Sequence, residues 1–583
     1  MINFIKMRGF RIAFPLVIFI ALLLRLWNFT GNPPSLNWDE VSLGYNAYSI
    51  LESGKDEWGK TLPIIFQAYG DYKLPVYVYV LAPFVSVFGL NEFSVRFPSV
   101  LAGTLTVALT YLIVKKLFSR NDKTSKELLG YDLTETQVNM LALISSFLVA
   151  VEPWSLFLSR PALEANLALC LFMTALYLFL RALSSFKYLP YSLLVFGLSV
   201  WTYNSYRIFT PLFLVLLFLL YKKELSDILK RKVLTVFCLL LTLLFFLPMF
   251  IQMIVGVGQE RYKKVAIIDD GAIGQIVMLR DRYNFNPLVE RLVFNRPTYF
   301  AYNFSKNMIS HFSYKFLFGQ GGSNYQFNIP NFGLLYKIDL IFLVVGIFCL
   351  IKKRSRTSTL LLMWLLLAAI PSSITREAPQ VLRSITVLPV PMILSSFGLV
   401  LTFKYLYKGK WGMLLAIVVT ALYFVILFAS AGRYFTTYFN EYRKDYSWSW
   451  QYGYKQVIGY AKNNYEKYDR IIVTKKYGEP HEFFLFYLKW NPSSYQNDKN
   501  LIRFKQSDWF WVDRFDKFVF VNDWDIPKEE WQPFIMESGK EDVDCRSIRC
   551  LLITSPGNFP KTWNKLDTVN FLDGKPAFEV YEN

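Results

Sequence analysis

Apolar runs of about 14 to 22 residues recur along the chain, separated by polar segments in which Lys and Arg concentrate. They lie at about 12–29, 94–114, 138–155, 165–183, 188–203, 208–221, 233–254, 333–351, 358–371, 384–403 and 411–431. A helix rises about 1.5 Å per residue, so roughly 20 apolar residues cross a ~30 Å hydrocarbon core. The pattern predicts a polytopic α-helical membrane protein with about eleven transmembrane helices. Short loops on one side carry Lys115, Lys116, Arg120, Lys222, Lys223, Arg231, Lys352, Lys353 and Lys404, whereas those on the other carry only Arg160, Arg207, Arg376 and Arg383. By the positive-inside rule the N-terminus is cytoplasmic, the number of crossings is odd, and the C-terminus is external.

Three longer polar regions then fall outside: 30–93, 255–332 and the tail from about 440. The organisation this predicts is a membrane domain over 1–435, bearing the first two as external loops, and a small external domain over 440–583. Leu74 to Gly89 is apolar but broken by Pro75 and Pro83. Counting it as a span would invert every later loop, so it reads as a helix lying at the interface. The tail alternates β-rich runs, Arg470 to Thr474, Lys517 to Val521 and Cys550 to Thr554, with a helical stretch near Tyr454 to Tyr465, which predicts an α/β domain.

Composition narrows the class. Hydrophobic residues make up 54% of the 583, too many for an ordinary soluble protein. The formal charge of +19 sits largely in short loops, where it sets topology and meets anionic lipid rather than nucleic acid. The first apolar run lacks a small-residue cleavage site and is followed by further spans, so it reads as a retained helix of a multi-pass plasma-membrane protein. Cys170, Cys238 and Cys349 lie in apolar runs as small buried hydrophobes, while Cys545 and Cys550 could join in an oxidising compartment. With only two histidines, His311 and His481, a His- or Cys-based metal site is not expected, and no cofactor is required; a carboxylate-bound divalent ion stays open.

Ionisable residues gather at the outer ends of the spans. Asp39 and Glu40 follow the first span, Asp71 and Lys73 occur in Tyr69-Gly-Asp-Tyr-Lys-Leu-Pro75, and Arg160 and Glu164 occur in Ser159-Arg-Pro-Ala-Leu-Glu164. Each alone reads as a solvated interfacial residue. Acids and bases converging on one face instead mark a cavity or pathway. Glu152 and Arg25 read as structural.

Trp38-Asp39-Glu40 after the first span, Asp71-Tyr-Lys-Leu-Pro75, Phe88-Gly-Leu-Asn-Glu-Phe-Ser-Val-Arg-Phe-Pro98, Ser159-Arg-Pro-Ala-Leu-Glu164, and Pro371-Ser-Ser-Ile-Thr-Arg376 followed by Arg383-Ser384 together resemble the multi-span glycosyltransferases of the GT-C type. The likeness is to the bacterial branch of protein O-mannosyltransferases and aminoarabinose transferases. It implies inverting transfer from a polyprenyl-phosphate-linked sugar to an acceptor hydroxyl or other nucleophile at the outer face of the cytoplasmic membrane. In that scheme Asp39 is the general base, with Glu40 beside it and Glu164 orienting the acceptor or supporting Asp39. Lys73, Arg376 and Arg383 hold the leaving phosphate, and Asp71 and Arg160 are further substrate contacts. Two departures stand out: Glu164 replaces the family's Asp, and Gly319-Gln-Gly-Gly-Ser-Asn324 lacks an acid often found there. The rival classes are a lipid-linked sugar transporter or flippase and a non-catalytic envelope protein with an external binding domain. Against the first stands the absence of visible repeat symmetry.

Overall fold

The computed structural model describes every residue except 1, 71, 119–132, 257–261, 284 and 408. Asp71, a candidate substrate contact, therefore lies outside the described residues. The chain forms two compact units, one of residues 1–27 with 99–435 and one of residues 28–98 with 436–583.

The first unit is a helical bundle. Each apolar run of the sequence overlaps a helix: Ile2–Leu26, Glu92–Phe118 (whose residues 92–98 belong to the second unit), Glu135–Val151, Glu164–Ala182, Leu189–Val200, Asn204–Leu229, Lys232–Ile254, Asp339–Lys352, Arg356–Ser373, Val390–Leu406 and Gly409–Thr436. Among the described residues, seven helices are long and apolar enough to cross a membrane by length and composition. The protein is a multi-pass membrane protein. Lys232–Ile254 leaves Leu240, Leu244 and Leu247 exposed, and Gly409–Thr436 leaves Leu414, Val418 and Val425 exposed. Lipid tails satisfy such surfaces, because helices carry their backbone hydrogen bonds internally.

The stretch Ile385–Leu406 is the opposite case, with 94% of its apolar window buried. It approaches Asp339–Lys352 through two glycines. A Cβ on Gly346 would stand 2.1 Å from the Leu394 carbonyl oxygen, and one on Gly398 would stand 2.0 Å from that of Phe342. Helices in a bilayer gain from such backbone proximity because dispersion, rather than water release, drives their association. Arg25 is fully buried here and donates to the carbonyls of Val149 and Ala150 and to Ser155 Oγ, each at 3.1 Å. It thereby caps the carboxyl end of Glu135–Val151, whose last carbonyls have no helical partner.

The second unit combines residues 28–98 with the tail. Helix Trp38–Ser53 opens with a capping box: Glu40 N–H donates to Asn37 Oδ1 at 2.9 Å and Asn37 N–H donates to Glu40 Oε2 at 3.1 Å. Gly54, at φ +68°, closes it. A short hairpin pairs Phe66 with Lys73 and Gln67 with Tyr72, and the Pro75-led run forms helix Pro75–Phe88. The tail contains a seven-stranded mixed sheet of β1 (Arg470–Thr474), β2 (Ile502–Gln506), β3 (Trp509–Phe515), β4 (Phe518–Val521), β5 (Cys550–Thr554), β6 (Asn564–Asn570) and β7 (Pro576–Glu582), in the order β6-β7-β5-β1-β4-β3-β2. The three runs read as β-rich are β1, β4 and β5, which pair in parallel at the centre and are hydrophobic on both faces, as buried parallel strands are. One face carries a core of Ile472, Val519, Leu552, Phe534 and Trp563, beside which Cys545 and Cys550 are joined as a disulfide.

Replacing Gly398 by Ala should lower the thermal unfolding midpoint in detergent, since the added carbon meets backbone and the helices must part; overpacking costs about 1–3 kcal/mol. Gly432→Ala, where a Cβ meets nothing within 4 Å, should be neutral or slightly stabilising. Equal midpoints for the two variants would show that the close approach contributes nothing.

Candidate active site

The turn that begins helix Trp38–Ser53 presents Asp39 and Glu40 to different surroundings. Adjacent helical residues point about 100° apart. Glu40 turns inward, is fully buried, and meets Arg96 with Nε at 2.8 Å from Oε1 and Nη2 at 2.9 Å from Oε2. Arg96 also donates to the carbonyls of Phe29 (2.9 Å) and Pro33 (2.8 Å), so one guanidinium holds the 29–40 segment in shape.

Asp39 turns outward and keeps 46% of its side chain exposed. Lys73 Nζ lies 2.7 Å from Asp39 Oδ1, and the Tyr69 hydroxyl donates to the same oxygen at 2.8 Å. The hairpin explains this convergence, because Tyr69 sits in its loop and Lys73 in its second strand. Burial, reinforced by the nearby Asp39 charge, pushes the Tyr69 hydroxyl well above its ordinary range, so it stays a proton donor. The result is a half-exposed carboxylate at a helix N-terminus with a cation and a phenol on one oxygen.

The other candidates are distributed through the bundle unit. Arg160 is buried and donates to Leu24 O (2.7 Å), Arg25 O (3.1 Å) and Trp27 O (2.7 Å); it caps the carboxyl end of the first helix. Glu164 is the first residue of Glu164–Ala182 and is half-buried. Arg376 pairs with Asp269 and donates to Lys264 O at 3.0 Å. Arg383 donates to Thr375 Oγ1 at 3.0 Å and lies 3.4 Å from Glu377 Oε2. Among the described residues no group of three or more His, Cys, Asp or Glu side chains is placed to hold a metal ion.

One acidic cluster escaped the sequence reading. Glu57, Glu479, His481 and Glu482 are all buried, with Trp58 Nε1 donating to Glu57 Oε1 at 3.2 Å and Arg503 stacked 4.3 Å over Trp58. Among the described residues, Oε2 of Glu57, of Glu479 and of Glu482 has no hydrogen-bond partner, which favours protonated carboxyls. Burial raises Glu57 to about 7, against the pull of Arg503, and raises Glu479 to about 8. Burial and then the facing Glu57 and Glu479 carry Glu482 well above the usual range. Burial, then Arg503 and Lys475, press His481 well below its own. The signal available in the sequence was Glu479-Pro-His-Glu482, two acids bracketing one of only two histidines.

The model of the dolichyl-phosphate-mannose-protein mannosyltransferase family matches residues 73–124, a segment that begins at Lys73. No curated protein matches the sequence. Among solved structures, apo ArnT from Cupriavidus metallidurans superposes with a TM-score of 0.50 at 11% identity, covering 99% of this chain and 98% of that one. The same protein bound to undecaprenyl phosphate gives 0.49 at 11% identity, over 99% and 97%. The apo oligosaccharyltransferase of Archaeoglobus fulgidus gives 0.47 at 14% identity over 82% of this chain, which spans 63% of that protein's length.

The acid cluster makes stability depend on pH. A carboxyl raised in the folded state contributes stability that is full below its unfolded value, near 4.5, and is lost as pH rises through its folded value. His481, lowered on folding, contributes with the opposite slope below about 6.5. Above that the glutamates decide, so the unfolding midpoint should fall between about pH 6.5 and 8, and Glu482→Gln should flatten the fall. A midpoint that rises over this window, followed by tryptophan fluorescence, would contradict the assignment. The motifs and the near full-length superposition agree on one architecture: the chain has the fold of the GT-C membrane glycosyltransferases.

Proposed function

We propose that this protein is an inverting glycosyltransferase of the outer face of the cytoplasmic membrane, moving a sugar from a polyprenyl-phosphate donor to an acceptor nucleophile. The observation that carries the reading is the half-exposed Asp39 carboxylate with Lys73 and Tyr69 on one oxygen. The matched family model is described by a transferase of the same donor class, a polyprenyl-phosphate sugar.

In the reaction, an acceptor hydroxyl gives its proton to Asp39 as its oxygen attacks the anomeric carbon. The bond from that carbon to the phosphate oxygen breaks on the opposite face, its electron pair leaving with the lipid phosphate, so configuration inverts. Tyr69 and Lys73 fix the direction in which Asp39 presents its second oxygen, and preorganisation of this kind avoids reorganisation cost during the reaction. Lys73 balances Asp39 in the resting protein and supplies charge to the departing phosphate; Arg376 and Arg383 are assigned to the same anionic chemistry. Glu40, engaged by Arg96, supports the fold of the loop, and Glu164 is assigned to acceptor orientation. An outward-facing site needs a donor already carried across the membrane, which a lipid-linked sugar provides.

Asp39→Asn preserves size and should leave donor binding intact while slowing single-turnover transfer by about 10²–10⁴. Glu40→Gln should act instead through a lowered unfolding midpoint, because it disturbs a buried ion pair. Near-normal transfer by Asp39→Asn would remove Asp39 as the base and move the role to Glu164.

A further inference from the structure

The bundle unit contains a cavity of about 100 Å³ at the start of helix Asn204–Leu229. A water needs only about 10–15 Å³ of such space, so a larger polar group fits. Arg207 and Arg383 both line it, with Thr375 and the first residues of the helix, Asn204 and Ser205; Ile208 and Met253 are among its apolar walls.

Arg207 is 5% exposed. Its guanidinium lies 5.5 Å over the Trp201 ring and donates to Gln252 Oε1 at 3.1 Å and, at 3.4 Å, to Val200 O. All three partners are neutral, and among the described residues no carboxylate forms an ion pair with Arg207. A buried guanidinium lacking a counter-charge is costly, and intramembrane charges of this kind mark ligand sites. Arg383 is the second cation of the wall. Its one ion-pair partner among the described residues, Glu377, is 69% exposed and therefore screened by water. Arg376 differs, being joined to Asp269.

We propose that this cavity binds the phosphate of a phosphate ester whose alcohol is apolar, with Arg207 and Arg383 as its two cationic ligands. Planar guanidinium forks match phosphate oxygens in pairs. The first-turn amides of the helix at Asn204 and Ser205 add positive potential, and the apolar walls select a chain over a hydrated ion. Arg207 thereby joins Arg383 in recognising the lipid-phosphate part of the donor, an identity that rests on the transfer reaction proposed above; the binding itself does not.

The test is equilibrium binding of farnesyl phosphate, farnesol and inorganic phosphate to the full chain in phosphatidylcholine nanodiscs. Farnesyl phosphate should bind the wild type, and Arg207→Gln and Arg383→Gln should each weaken it about 10- to 100-fold, the range for one charge-assisted contact. Arg354→Gln, in an exposed loop, should bind as the wild type does. Arg207→Lys keeps the charge without the fork and guards against a glutamine variant that fails to fold; it should bind measurably but more weakly than the wild type. Unchanged affinity in Arg207→Gln, or in Arg207→Lys should the glutamine variant not fold, would overturn the proposal. Inorganic phosphate binding as tightly as farnesyl phosphate would overturn the lipid assignment. Binding that depends on Arg207 in a protein with no transfer activity would support this site while removing the transferase reading.

Discussion

The buried pair between Glu40 and Arg96 is the constraint on which the candidate site depends. Both side chains are wholly inaccessible, so breaking the pair leaves an uncompensated interior charge, at a cost of about 3–5 kcal/mol. Arg96 does more than neutralise: its remaining donors reach Phe29 and Pro33 carbonyls, the backbone leading into the turn that carries Asp39. Glu40 in turn closes the capping box with Asn37. One ion pair thus fixes the loop, the start of helix Trp38–Ser53 and the direction in which Asp39 faces.

Buried charge is handled in more than one way in this protein. Arg25 and Arg160 discharge their donors onto carbonyls at helix ends, where the backbone lacks partners and carries partial negative charge. Glu40 is matched to a cation. The glutamates around His481 feel Arg503 and Lys475 only as a weaker pull, and burial pushes them toward the neutral form. Asp39, by contrast, meets both water and a lysine and stays reachable from solvent.

The bundle shows how polar positions and close packing coexist in a membrane protein. Gly346 and Gly398 allow two helices to touch backbone to backbone, while outer helices leave leucine and valine faces for lipid. A cavity containing Arg207 and Arg383 interrupts this regularity.

By itself the sequence determined the elements whose causes are local. Apolar runs of spanning length became helices because the backbone must satisfy itself in lipid, and the β-branched runs at Ile471 to Val473 and Phe518 to Val521 became central strands. Trp38-Asp39-Glu40 and Asp71-Tyr-Lys73 marked the segments that bring Asp39 and Lys73 together. Only the tertiary structure decided which of two adjacent acids faces out, because that depends on Arg96, distant in sequence, reaching one and not the other. It alone revealed Tyr69 as a partner of Asp39, Arg160 as a helix cap, and the gathering of Glu57 with Glu482. Residue spacing encodes periodicity along one element; it carries no record of which surfaces meet when elements far apart in the chain are packed, and burial, pairing and charge state are set by that meeting.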